Sequence, residues 1–114
     1  MMTVEMLKNF GADTQEGLSR CMNNEAFYLR LVGMGLNEPN FDKLQDAVAR
    51  GNAKEAFEAA HALKGMIGNL SLTPIYTPLS ELTERLRGQE EIGDVSDLMN
   101  QVMESLKKAR ALNT

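Results

Sequence analysis

Apolar residues recur along this chain at spacings of three and four, the period of an amphipathic helix, and no segment shows the strict alternation of a strand bounded by hairpin turns. Stop and start signals cut the pattern into segments. Thr3 caps a short helix near 4–9 that Gly11 closes, and Asp13 with Glu16 forms a capping box for a second, to about Met22. Asn24 caps a helix over 25–35 whose apolar positions are Phe27, Leu31 and Met34. Gly35, Asn37 and Pro39 break it. Phe41, Leu44, Ala47 and Val48 make the next stripe, ended by Gly51 in the C-terminal glycine position.

Asn52 and Glu55 open a helix expected to reach about Leu72. Thr73-Pro74 reads as a cap followed by a first-turn proline, and Thr77-Pro78 repeats that signal one turn later. A proline at 78 would clash with the carbonyl of residue 74, which leaves open a regular helix starting only at Pro78. Ile75, Leu79, Leu82 and Leu86 carry its apolar face to Gly88. Asp94 caps a last helix, with Val95, Leu98, Met99, Val102, Met103, Leu106, Ala109 and Leu112 on one side. The expected fold is all-α, an antiparallel up-and-down four-helix bundle with short additional helices packed at one end or side. It forms one domain over 1–114, with short helices in 1–23, the bundle in 24–112 and the histidine helix at about 53–72.

Composition narrows the picture. Aromatics are 5% and Met numbers 8, which suits a Leu, Met, Ala and Val core in a bundle. A net charge of −4 gives no electrostatic reason to expect nucleic acid or an anionic membrane, and no apolar run approaches the ~18 residues of a span. Cys21 stands alone, so neither a disulfide nor, with one His, a structural zinc site can be built within the chain. A reducing cytoplasm is the default compartment. The initiator Met and the polar ALNT end suggest a free-standing chain.

His61 is the only histidine, and it lies in AHALKGMIGNL, residues 60–70. With about 100° per residue, Ala56, Ala59, Leu63, Met66 and Leu70 cluster opposite it, flanked by Ala60 and Ile67. That core stripe is complete without the imidazole. The near face holds Lys54, Phe57, Glu58, His61, Lys64, Gly65 and Gly68 and should look outward. A lone helical His is usually a surface or a satisfied core residue. The two glycines resist that reading, since each costs about 1 kcal/mol relative to Ala in a helix interior and domain stability is only about 5–15 kcal/mol. They clear space around the ring.

A free imidazole, with its ordinary pKa of about 6.5, is a nucleophile near neutral pH. No Ser or Cys is placed to make a triad with His61, which gives hydrolysis little support. Phosphoryl transfer asks for positioning and positive charge near the equatorial oxygens, and Lys64, one turn along, can supply that charge. No glycine-rich phosphate loop or nucleotide motif is present.

His61-Ala62-Leu63-Lys64-Gly65, followed by Gly68-Asn69, resembles the H-x-L-K-G signature of histidine-phosphotransfer (HPt) domains of bacterial phosphorelays. The resemblance covers about residues 24–110 and includes the Phe41–Leu44–Val48–Gly51 hairpin leading into Ala56–His61. It implies that His61 takes a phosphoryl group from a receiver aspartyl phosphate or a kinase and passes it to another receiver aspartate. Lys64 would neutralise the phosphoryl oxygens. Gly65, Gly68, Phe57 and Asn69 would form the receiver docking surface. Mg²⁺ would come from the receiver, with no metal bound by this chain, and the partners would be response-regulator receivers or a hybrid histidine kinase, the protein itself being a monomer. Family members often carry Glu or Gln near position 83 to orient the imidazole; here Thr83 stands there with Glu84 next to it. The chain lacks an ATP-binding domain and a dimerisation helix pair. Two rivals are a non-catalytic helical adaptor and a haem bundle using His61 and a Met. Met6, Met34, Met99 and Met103 fall on core stripes, which argues against the second.

Overall fold

A computed structural model describes residues 1–113; Thr114, the last residue of the ALNT end, lies outside it. Seven helices and no strand are found among the described residues: α1 Val4–Phe10, α2 Thr14–Arg20, α3 Glu25–Leu36, α4 Asn40–Arg50, α5 Ala53–Asn69, α6 Thr73–Leu86 and α7 Ser96–Ala111. The short-range start signals act as the sequence suggests. The side chains of Thr3, Asp13, Asn24 and Asn52 accept hydrogen bonds from the backbone N–H three residues on, satisfying donors the first turn leaves free. Gly51 closes α4 at φ 73°, a left-handed turn that suits glycine.

The long helices pack in chain order, α4 on α5, α5 on α6 and α6 on α7. Leu44, Leu63, Ile67, Leu79, Leu82, Val102 and Leu106 are fully buried between them. Small residues on α5, Ala56, Ala59 and Ala60, are buried as well and let its neighbours approach closely. α1 touches α2 and α7, and α3 bridges α2 and α7. Arg110 on α7 ties α3 down by donating from Nε to the Leu36 carbonyl at 2.8 Å.

Three expectations change. The buried face of α3 is Tyr28, Val32, Gly35 and Leu36; Leu31 is partly buried against the core, and Phe27 and Met34 lie off it. Phe27 is 47% exposed, Met34 61% and, on α1, Met6 38%, so neither methionine is a core residue. Met99 is buried and Met103 packs against the core, as expected. The reason is Tyr28. Its hydroxyl donates to the Leu70 carbonyl at 2.8 Å, which lets a large ring with a polar tip be fully buried. Gly17 makes room, since a Cβ there would lie 2.5 Å from Tyr28 Cε1.

The second change concerns the start of α6. The helix is regular from Thr73, with Leu72 as its capping residue and Pro78 buried inside it. Thr73 therefore does not cap. The chain turns two residues before Thr73, where Ser71 adopts φ 57°, a left-handed conformation unusual for a residue with a side chain. That turn is fastened from α2: Arg20 Nη1 donates to Ser71 Oγ at 2.9 Å, Ser71 Oγ donates to Glu16 Oε1 at 2.9 Å, and the Asp13 N–H donates to the Ser71 carbonyl at 2.9 Å. Third, α7 begins at Ser96 and not at Val95. Asp94 Oδ1 accepts from the Ser96 N–H at 3.2 Å and its hydroxyl at 2.6 Å, so it still serves the first turn.

Burial pushes the Tyr28 hydroxyl up to about 12, with the charges of Cys21 and Asp13 adding to the effect. A folded-state value above the ordinary 10 means that the folded form holds this proton more tightly than the unfolded chain. Stability from this group is complete below pH ~10 and is lost as pH rises towards ~12. Replacing Tyr28 by Phe should remove that alkaline loss, seen as a flatter dependence of thermal midpoint on pH above 10, while lowering stability at pH 7 by about 1 kcal/mol through the unpaired Leu70 carbonyl.

Candidate functional site

α5 carries the site, and its two faces divide as the spacing requires. Ala56, Ala59, Ala60, Leu63 and Ile67 are buried, while His61 and Gly65 are exposed and Lys64 is half-buried. The imidazole is thus held on a rigid helix and faces solvent. Among the described residues neither ring nitrogen has a hydrogen-bond partner, so both are open to an incoming group. The ring is held by stacking: Phe57, one turn earlier, lies with its centroid 5.6 Å from that of His61 and its plane inclined by 19°.

Lys64 leans towards α6, where its Nζ is 3.6 Å from Glu84 Oε1. Glu84 also takes Arg87 in a two-pronged pair, Nη2 to Oε1 and Nε to Oε2, each at 3.1 Å. The Arg87 guanidinium lies 5.0 Å from the Phe57 ring centroid, so ion pairs and ring contacts link Lys64, Glu84, Arg87, Phe57 and His61. Hydrogen bonds from Arg87 hold the Glu84 carboxyl below the usual carboxylate range against the opposing effect of desolvation, and the charges of Arg87 and Lys64 add to them.

Gly65 and Gly68 play different parts. A Cβ on Gly65 would meet nothing within 4 Å, so this glycine leaves open space as expected. A Cβ on Gly68 would lie 2.9 Å from Tyr76 Cε1. Gly68 therefore makes room for the Tyr76 ring of α6. Contacts running from Gly68–Tyr76 to Lys64–Glu84 show that α5 and α6 run in opposite directions.

A groove of about 510 Å³ is lined by His61, Lys64, Gly65, Gly68 and Asn69, which joins five of the six residues singled out from the sequence. Phe57 stands outside this groove and touches the site through the imidazole. The far wall comes from Glu16, Arg20, Ser71, Thr73 and Tyr76, none of which the motif indicates. Arg20 Nη1 donates to the carbonyls of Gly68 at 3.1 Å and Asn69 at 3.2 Å, capping the end of α5 with a cation where the helix dipole favours one. Thr83 does not reach the groove. It is fully buried, and its Oγ1 donates to the Leu79 carbonyl at 2.7 Å.

An exposed nucleophilic nitrogen, an ammonium one turn away and the open space over Gly65 suit transfer of an anionic group. No three His, Cys, Asp or Glu side chains gather as metal ligands would among the described residues, and no helix there is long and apolar enough to cross a membrane. Neither the curated proteins nor the solved structures contain a match to the chain. A family model, described as Hpt domain, matches residues 36–111, a stretch that runs from the end of α3 through α7 and includes His61 and Lys64. Hpt domains carry out histidine phosphotransfer in two-component signalling, in contact with receiver domains and kinases, and this chain belongs to the Hpt domain family.

Proposed function

We propose that the protein relays a phosphoryl group through His61, accepting it from a receiver aspartyl phosphate or a histidine kinase and passing it to a second receiver. The observation that carries this reading is the exposed imidazole on α5, both nitrogens without a hydrogen-bond partner among the described residues, and the open groove at its side. α4 to α7 serve as the antiparallel up-and-down bundle that holds the ring rigid, and Gly65, Gly68 and Asn69, with Phe57 beside them, receive the partner's active-site loops. In the forward step a ring-nitrogen lone pair attacks phosphorus. The N–P bond forms as the P–O bond to the aspartate breaks, and the leaving electron pair stays on the carboxylate. Attack by a second receiver's aspartate reverses the step and returns the free imidazole. The resulting phosphoryl charge is met by Lys64. Mg²⁺ is the receiver's contribution, the relay works as a monomer, and its setting is the cytoplasm.

Incubation with a phosphorylated receiver domain tests this directly. Acid-labile, base-stable phosphate should appear on the protein. A wild-type protein that no receiver or kinase from its own genome labels would instead be an adaptor of the same shape. Lys64→Ala should slow transfer by about 10²-fold, the lower end of the loss when one charge-stabilising donor is removed. Its circular dichroism and thermal midpoint should stay within error of wild type, because the pair Lys64 makes with Glu84 is a surface one.

A further inference from the structure

Lys64 is not idle before phosphoryl transfer. Its side chain is 26% exposed, and its one ion-pair partner among the described residues is Glu84. The separation of 3.6 Å exceeds the roughly 2.7–2.9 Å of a direct charge-assisted hydrogen bond, so the ammonium is loosely held. Glu84 is held more firmly elsewhere, since both of its oxygens accept from Arg87 at 3.1 Å. The carboxylate therefore stays ionised and paired when Lys64 departs, an arrangement supported by the downward shift that Arg87 imposes on it. A phosphoryl group on His61 would place two negative charges one helical turn from the same ammonium. Glu84 and the phosphoryl oxygens compete for it.

We propose that Glu84 is a positioning residue that holds Lys64 in the unphosphorylated protein and yields it to the phosphoryl group. It thereby sets how the phosphoryl group partitions between His61 and the receiver aspartate. The inference rests on the reading of His61 as the acceptor. Each phosphorylation breaks the Lys64–Glu84 pair, so Glu84 opposes accumulation of phosphohistidine and favours onward transfer. Neutralising it leaves Lys64 free in both states and removes the opposition. Glu84 is 54% exposed, and a pair in that setting is worth only a factor of a few.

The test compares wild type, Glu84→Gln, Lys64→Ala and the double variant, each mixed at equal concentration with one phosphorylated receiver domain. The equilibrium fraction of phosphate on each protein is the readout. Glu84→Gln should raise the ratio of phosphohistidine to phosphoaspartate about two- to fivefold when Lys64 is present, and by less than about 1.5-fold when Lys64 is Ala, because the competition needs the ammonium. An unchanged or lower ratio in Glu84→Gln overturns the proposal. So does an equal rise in both backgrounds, which would show general repulsion by the carboxylate. Loss of the acceptor reading looks different: the wild type stays unlabelled, or His61→Gln keeps its label.

Discussion

His61→Gln abolishes transferable phosphate on the protein, a fall of more than about 10³-fold in labelling by a phosphorylated receiver, since the covalent acceptor itself is gone. Gln keeps a polar side chain at an exposed position, and the imidazole makes no hydrogen bond among the described residues that the change would break. What is lost is the stacking on Phe57, 5.6 Å between centroids at the surface of α5. Helix content and thermal midpoint should therefore match wild type. No second imidazole exists in the chain to take over the role. Phosphotransfer assays with acid and base stability of the label check this, and undiminished label on the variant would place the acceptor elsewhere.

Gly65→Leu should separate stability from function. The position is inside α5, and a Cβ there meets nothing within 4 Å, so the branch point of the new side chain starts in open space. Leu is the better helix former by nearly 1 kcal/mol, and the denaturation midpoint should rise accordingly. The same side chain fills the groove beside His61 and Lys64, where a partner must bring its phosphoaspartate within bonding distance of the ring. A misplacement of about 1 Å can cost 10²-fold, so the transfer rate should fall by at least about 10²-fold. Denaturant titration and transfer rates measured on the same sample check both halves. Wild-type transfer in a more stable variant would mean that the partner does not approach over Gly65. Gly68 would not give so clean a separation, because a Cβ there also displaces the Tyr76 ring.

Local signals in the sequence were legible, and non-local ones were not. Thr3, Asp13, Asn24 and Asn52 act within three residues of themselves, so a reading of spacing alone finds them. The face of α3 could not be found that way. Phe27, Leu31 and Met34 make as good a stripe as Tyr28, Val32 and Leu36, displaced by one or two residues. What selects the second is a carbonyl at Leu70 and a gap at Gly17, far along the chain in either direction. The start of α6 has the same character, because Ser71 is turned by contacts with Asp13, Glu16 and Arg20 on another part of the chain.

The candidate site follows the same division. His61, Lys64 and Gly65 share one helix face and were visible from their spacing on α5. The outer wall of the groove and the Glu84–Arg87 pair come from α2, the α5–α6 turn and α6, and no periodicity within α5 points to them. Position 83 shows the limit of reasoning by resemblance. Thr83 is buried with its hydroxyl spent on Leu79, while its neighbour Glu84 reaches the site through Lys64.

Phosphorus NMR of protein labelled with ¹⁵N in its single imidazole, taken after exposure to a phosphorylated receiver, reads the acceptor atom directly. One phosphoramidate resonance, split by coupling to a ring nitrogen of His61, is the expected spectrum. Phosphorus on any other residue, or only inorganic phosphate as the receiver empties, would contradict transfer through His61.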